Sequence, residues 1–185
     1  FNIELLGPHI IKSDSDFSLE DNNIRFGLSS IKGISEKTME KLKDFKSENS
    51  NKFEVFQGAK GAGLNIGALS ALIQAGALEE LSKSRSRVVL EAQLWNLLTD
   101  KEKCLCFDLS EEFNFDLFKI IKHLSVSKNE NGKLLIRESR VKTIKRKYDP
   151  YLQIYRQNNQ SESFANWFYE NKLLGYSYNK SLKEE

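Results

Sequence analysis

Ile24-Arg25-Phe26-Gly27-Leu28-Ser29-Ser30-Ile31-Lys32-Gly33-Ile34-Ser35-Glu36-Lys37 decides how this chain is read, because it places a lysine-glycine turn between two helix-forming segments. Glycine permits the positive φ of a tight turn and lets backbone approach a ligand closely. The helix that follows offers unpaired N–H groups and the positive end of its dipole, which suit a phosphate. Ser35 is a good N-cap and Glu36 a favourable first-turn acid for a helix continuing through Phe45, with Met39, Leu42 and Phe45 as its buried stripe. Lys32, Lys37 and Lys41 stand at or just beyond the turn. A weaker copy follows at Leu72-Ile73-Gln74-Ala75-Gly76-Ala77-Leu78, so the expectation is a tandem helix-hairpin-helix unit whose contacts to a phosphate backbone come from Lys32, Gly33, Ile34, Ser35, Lys37, Ala75, Gly76 and Ala77. The competing reading is an ordinary helix-turn-helix corner with solvated lysines.

From Leu5 to about Leu98 the chain resembles the end of the fingers and the tandem helix-hairpin-helix region of the family C replicative polymerases, the bacterial DNA polymerase III alpha subunits. Leu5-Leu6-Gly7-Pro8, followed by Ile11 to Phe17, is similar to one ordered block of that family, Ile24 to Ile34 to a second and Leu69 to Leu78 to a third. Tyr169-Glu170-Asn171-Lys172-Leu173-Leu174-Gly175-Tyr176-Ser177 resembles the element before its OB-fold. The resemblance implies a DNA-binding role for Arg85 or Arg87, where the family has an arginine-led helix, and a parent that is a cytoplasmic, magnesium-dependent DNA-directed DNA polymerase with its catalytic aspartates upstream of Phe1. Two departures stand out: Ser35 replaces the second hairpin glycine, and Lys180-Ser181-Leu182 replaces Gly-His-Pro. Such drift suits a phage- or plasmid-borne relative.

Composition agrees with a soluble fragment. The 185 residues are 39% hydrophobic and 29% charged, with a net charge of only +2, so any nucleic-acid binding must come from local patches. No apolar run approaches a membrane span. A start at Phe1 without an initiator methionine points to a piece of a longer protein. Cys104 and Cys106, with His123 the nearby histidine, supply too few ligands for zinc, and no cofactor is expected within the fragment. His9 reads as a surface histidine.

Alternation over Phe1 to Leu6 and Phe17 to Phe26 predicts short strands, with Asp21-Asn22-Asn23 as a turn. Helices are then expected before Lys32, after Ser35, over Asn65 to Gln74 and over a long run from about Ser84 to Lys103. Phe53 to Phe56 reads as a brief turn, and Gly58, Gly61, Gly63 and Gly67 as a flexible connector. The fold class is therefore mainly α: a β-rich entry segment over 1–26, a tandem helix-hairpin-helix domain over 27–103, a linker over 104–147 and an aromatic-rich helical tail over 148–185.

In that linker, Asn114-Phe115-Asp116-Leu117-Phe118 is similar to the short clamp-binding peptide of bacterial replication proteins, with Asn114 in place of its glutamine. Gln160 to Phe164 is a weaker match. Packing residues between helices are the competing reading. Arg137, Arg140, Lys142, Lys145, Arg146 and Lys147 oppose Glu138 in the most basic stretch, which fits either a DNA backbone contact, chiefly through Arg140 and the residues after it, or a solvated face. The aromatics from Tyr148 to Tyr178 fit a helical mini-core better than base stacking. The expected function is sequence-independent binding of product duplex DNA in a polymerase, by a fragment that is not itself catalytic. The alternative is a module docking the sliding clamp through 114–118.

Overall fold

The computed structural model describes residues 2–45, 51–78, 84–157 and 162–178. Its elements are three short strands and eight α-helices: β1 (Leu5–Leu6), β2 (Ser18–Glu20), β3 (Asn23–Arg25), α1 (Glu36–Phe45), α2 (Lys52–Gly61), α3 (Ile66–Gln74), α4 (Arg85–Leu97), α5 (Asp100–Asp108), α6 (Leu117–Val126), α7 (Glu138–Gln157) and α8 (Glu162–Leu174). The chain is mainly helical, as its composition and periodicity require. Two compact units result, one from residues 1–50, 54–89 and 160–185, the other from 51–53 and 90–159. These divisions differ from the sequence-derived ones, since α8 packs with the first unit and α7 with the second.

In the first unit, β3 lies between β1, which it pairs in parallel, and β2, which it pairs antiparallel. The β2–β3 turn is confined to Asp21 and Asn22, both at positive φ (49° and 66°), as a two-residue hairpin whose twist matches its strands demands. Asn23 already belongs to β3. Arg25 straps this small sheet: its guanidinium donates to both Glu20 carboxylate oxygens at 2.6 and 2.7 Å and to the Gly7 carbonyl at 2.9 Å. A single 3-10 turn at Leu28–Ser30 leads to the Lys32-Gly33 corner and α1. On α1 the buried stripe is Leu42 and Phe45, with Met39 only half-buried.

The glycine cluster is not a flexible connector. Gly58 lies inside α2 and Gly61 is its last residue, while Gly67 sits in the first turn of α3 behind the Asn65 N-cap, whose side chain accepts from the Ala68 N–H at 2.8 Å. The expected turn at Phe53 to Phe56 is the interior of α2, because Phe53, Val55, Phe56 and Ala59 are buried along it. Gly63 is the residue that needs glycine, at φ 77°, where it ends α2 with the Gly63 N–H to Lys60 and the Leu64 N–H to Ala59.

In the second unit, the helix expected to run from Ser84 to Lys103 breaks at Thr99. There Thr99 and Glu102 form a reciprocal capping box that starts α5, an S/T-x-x-E signal present in the sequence. The supposed linker over 104–147 is also helical, containing α6, a small hairpin bridged at Lys128 and Leu134, and much of α7. α7 runs through the expected boundary at 147–148, with Pro150 inside it. Two buried acids organise this unit. Glu91 accepts from the Lys52 ammonium at 2.9 Å and from the Leu117 N–H at 3.3 Å, and Glu102 takes the guanidinium fork of Arg140 at 3.0 to 3.3 Å. Around Phe53 the rings of Trp95, Phe107 and Phe115 close within 6.0 Å.

Burial alone would raise the pKa of Glu102, but hydrogen bonds from Arg140 and from the Thr99 N–H outweigh it, holding the carboxyl below its ordinary 4.5. A depressed carboxylate stabilises the fold above its unfolded value and loses that contribution as pH falls through the folded one. Glu102→Gln should therefore cost about 1–3 kcal/mol at neutral pH. In urea unfolding at about pH 7 and about pH 3, the variant should lose less stability on acidification than the unaltered chain; equal losses would mean the pair contributes nothing.

Candidate nucleic-acid interface

The two glycine turns have different environments, although their sequences are alike. At the first, Ile31 and Ile34 are buried while Lys32 and Gly33 between them are exposed. The aliphatic pair pins the corner and pushes its tip outward. Gly33 takes φ 99°, as the turn requires, and a side chain there would meet only ordinary contact with Ala71. The Lys32 N–H donates to the Leu173 carbonyl at 3.0 Å, so α8 anchors the corner from behind.

Beyond the corner, Ser35 caps α1, its hydroxyl accepting from the Thr38 N–H at 3.3 Å. Its φ is not positive, so the departure from a second glycine changes this position to a side-chain cap. Capping satisfies one of the donors a helix start leaves over. The N–H groups of Gly33, Ser35, Glu36 and Lys37 have no hydrogen-bond partner among the described residues. Four donors and the dipole of a ten-residue helix thus converge beside exposed Lys32, Lys37 and Lys41. Ile34 contributes burial rather than contact.

The second turn is closed. Gly76 takes φ 87° as expected, yet it is buried with Ala75 and Ala77. Its N–H groups are consumed in ending α3: Ala75 to Ala71, Gly76 to Ile73 and Ala77 to Leu72. Its carbonyls are covered as well. Arg85 donates to the Gln74 carbonyl at 3.1 Å, and the Tyr178 hydroxyl donates to that of Ala75 at 2.9 Å. A Cβ at Gly76 would strike the Tyr178 hydroxyl and the Arg85 guanidinium. Ala75, Gly76 and Ala77 are therefore removed from the set of phosphate contacts, because no donor or open surface remains there.

Arg85 is a further correction. It is buried and ion-paired with buried Glu170 at 2.9 Å, and it donates to the Tyr178 hydroxyl at 3.0 Å. The other Glu170 oxygen accepts from the Ser177 hydroxyl and the Tyr178 N–H. An arginine so enclosed cannot reach a DNA backbone. Arg87, two residues on, is exposed. Glu170 lies in the segment likened above to the element before an OB-fold, but its spacing from Arg85 carries no local signal of their pairing. In the tail, Gln160 and Ser161 and the Lys180 to Leu182 stretch lie outside the described residues, as does the side chain of Phe164.

Residues 114–118 are built into the second unit. Asn114 and Phe115 both take positive φ (52° and 58°), Asp116 is the N-cap of α6, and Leu117 is fully buried with its N–H on Glu91. Phe115 packs on Phe53, and Phe118 lies 5.9 Å from the Tyr148 ring. The clamp-peptide reading is corrected on this point: its leucine anchor reaches a partner only if α6 opens. Within the basic stretch, Arg140 is tied to Glu102 and to the Leu97 carbonyl, whereas Lys142, Lys145, Arg146 and Lys147 are exposed on α7.

The remaining candidate groups among the described residues stand apart from one another. His9 is half-buried, and its Nδ1 accepts from the Ile11 and Lys12 N–H groups. Burial, and secondarily Glu102, pushes the Cys106 thiol up to about 12, which keeps it protonated. No group of three or more His, Cys, Asp or Glu side chains among the described residues is arranged to hold a metal, and no helix there is long and apolar enough to cross a membrane.

An exposed lysine-glycine corner feeding a capped helix, with a second turn packed behind it, defines a helix-hairpin-helix module. Residues 2–88 match the helix-hairpin-helix motif family. About half of the chain is similar to the DNA polymerase III subunit alpha of Aquifex aeolicus (strain VF5), at 35% identity over 97 residues, which is 48% of this chain and 8% of that protein. This part of the chain is thus a helix-hairpin-helix segment related to a DNA polymerase III alpha subunit.

Removing one partner of a buried ion pair strands the other charge and typically costs about 3–5 kcal/mol. Arg85→Ala and Glu170→Gln should each destabilise the chain on that scale, and the double variant Arg85→Met/Glu170→Leu should recover much of the loss. Chemical denaturation checks this; single variants within about 0.5 kcal/mol of the parent, the range of ordinary surface substitutions, would show that the pair does not hold the unit together.

Proposed function

We propose that this segment binds duplex DNA without reading its sequence, through one hairpin rather than two. The observation that carries the reading is the set of N–H groups at Gly33, Ser35, Glu36 and Lys37 that have no partner among the described residues, exposed beside Lys32, Lys37 and Lys41. Backbone N–H groups and lysines satisfy phosphate oxygens but offer no pattern that distinguishes bases. The kinship with a polymerase subunit supports product duplex as the ligand. In this reading nucleotidyl transfer and its magnesium ions belong to other parts of a longer cytoplasmic polymerase, and the chain serves to hold DNA that has already been copied.

Glu36, beside these N–H groups, is compatible with the reading. It stands at the first turn of α1, where its own charge is favoured by the dipole, while the lysines outnumber it around the corner.

Lys32→Glu should weaken binding to unrelated duplexes by similar factors and reduce the slope of log K against log salt by about 1. Gly33→Val should do the same by forcing a β-branched residue into positive φ. Arg87→Ala is expected to have a smaller effect. Fluorescence anisotropy over a salt series reads all three. Unchanged binding in both hairpin variants, with the circular dichroism spectrum intact, would sink the assignment.

A further inference from the structure

Within the second unit, α5 and α7 bound a cavity of about 450 Å³. Each helix presents one face to it, through positions i, i+1 and i+4: Lys101, Glu102 and Leu105 on α5, and Ser139, Arg140 and Thr143 on α7. Leu135 and Ile136 join Leu105 as an apolar wall, and Arg137 follows them just before α7. Three cationic side chains line this cavity with donors to spare. Arg140 is held by Glu102 and the Leu97 carbonyl through its Nε and Nη2 groups, which leaves Nη1 without a partner among the described residues. Lys101 and Arg137 are exposed, and their side chains make no ion pair or hydrogen bond among the described residues. The acid in the lining is Glu102, whose charge Arg140 already takes. Glu138 stands about 140° or more round α7 from Arg140 and Thr143, at about 100° per residue, and meets Lys142 instead. Asp100 is turned from Glu102 and Leu105 on α5 by the same spacing.

An arginine fixed by other partners has already lost its rotamer freedom, so a ligand oxygen meets a preset donor at reduced entropic cost. Three cations less one acid leave the lining with a net charge of +2 beside an apolar wall. That combination suits an anion with about two negative charges and a planar or apolar body. A phosphomonoester has about that charge near neutral pH, whereas each phosphate within a DNA strand carries one. The volume falls in the range of small-molecule pockets, roughly 300–1,000 Å³, which leaves room for a base beside the phosphate.

We propose that the cavity between α5 and α7 binds a nucleoside monophosphate group, free or at the 5′ end of a DNA strand, with the phosphate on Lys101, Arg137 and the Nη1 of Arg140 and the base against Leu105, Leu135 and Ile136. The site uses no residue of the hairpin corner and stands if the hairpin reading fails.

The test titrates the whole chain calorimetrically with dAMP, deoxyadenosine, succinate and a short oligonucleotide carrying or lacking a 5′ phosphate. Saturable binding with Kd below about 1 mM is expected for dAMP, for the phosphorylated oligonucleotide or for both, and the tighter of the two identifies which source fills the site. Arg137→Ala should weaken that binding about tenfold or more, since it removes a charge-assisted contact. Ser139→Trp should abolish it by filling the cavity while every charge stays in place. Lys32→Glu, at the hairpin, should leave dAMP binding and the preference for a 5′ phosphate unchanged. Thermal unfolding confirms that these surface variants remain folded. Absence of binding by both phosphorylated probes at about millimolar concentration would overturn the proposal, as would affinity within about twofold of the parent in either Arg137→Ala or Ser139→Trp. Deoxyadenosine or succinate binding as tightly as the phosphorylated probe would also overturn it, by showing that the phosphate or the base is not what the cavity holds.

Discussion

The first unit depends on one interaction, the buried ion pair of Arg85 with Glu170. Two charges removed from water are costly, and only close mutual pairing with every remaining lone pair and donor satisfied makes their burial tolerable. The surroundings supply further partners to both groups: the Gln74 carbonyl and the Tyr178 hydroxyl to Arg85, the Ser177 hydroxyl and the Tyr178 N–H to Glu170. Each partner comes from a different part of the chain: the end of α3, the start of α4, α8 and the segment after it. The unsatisfied alternatives are so unfavourable that these pieces hold one arrangement.

That arrangement divides labour between two similar turns. Gly33 and Gly76 share positive φ and flanking aliphatic residues, yet one turn keeps donors without a partner among the described residues and the other has spent its own. The Leu173 carbonyl and the Tyr178 hydroxyl both belong to the C-terminal segment of the unit, so the same stretch that seals the second turn also braces the first. In the second unit the same principle recurs with Glu91 and Glu102, buried acids whose partners tie α4 to α6 and α5 to α7. The residues that looked like an exposed peptide at 114–118 are there the means of starting α6.

Much of the local architecture was legible in the sequence. The Asp21-Asn22 turn, the Ser35 cap, the Gly33 corner and α3 over Ile66–Gln74 all follow from preferences of a few adjacent residues, which operate whatever the rest of the chain does. The break at Thr99 was legible too, through its capping box, but is easily overlooked within a long periodic run. Gly58 and Gly61 misled in the other direction. Glycine costs a helix about 1 kcal/mol, and the burial of Phe53, Val55, Phe56 and Ala59 along α2 outweighs that penalty.

Local chemistry thus determined many of the turns, caps and helices, together with the kind of module they make. Tertiary structure alone decided which of those features faces water. Arg85 reads as a surface cation until a carboxylate 85 residues away encloses it, and Gly76 reads as a second phosphate corner until Tyr178 covers it from 102 positions further on. The reason is physical: propensity and capping act within a turn or two of chain, whereas burial of charge and consumption of hydrogen-bond donors depend on partners that only the folded chain brings together.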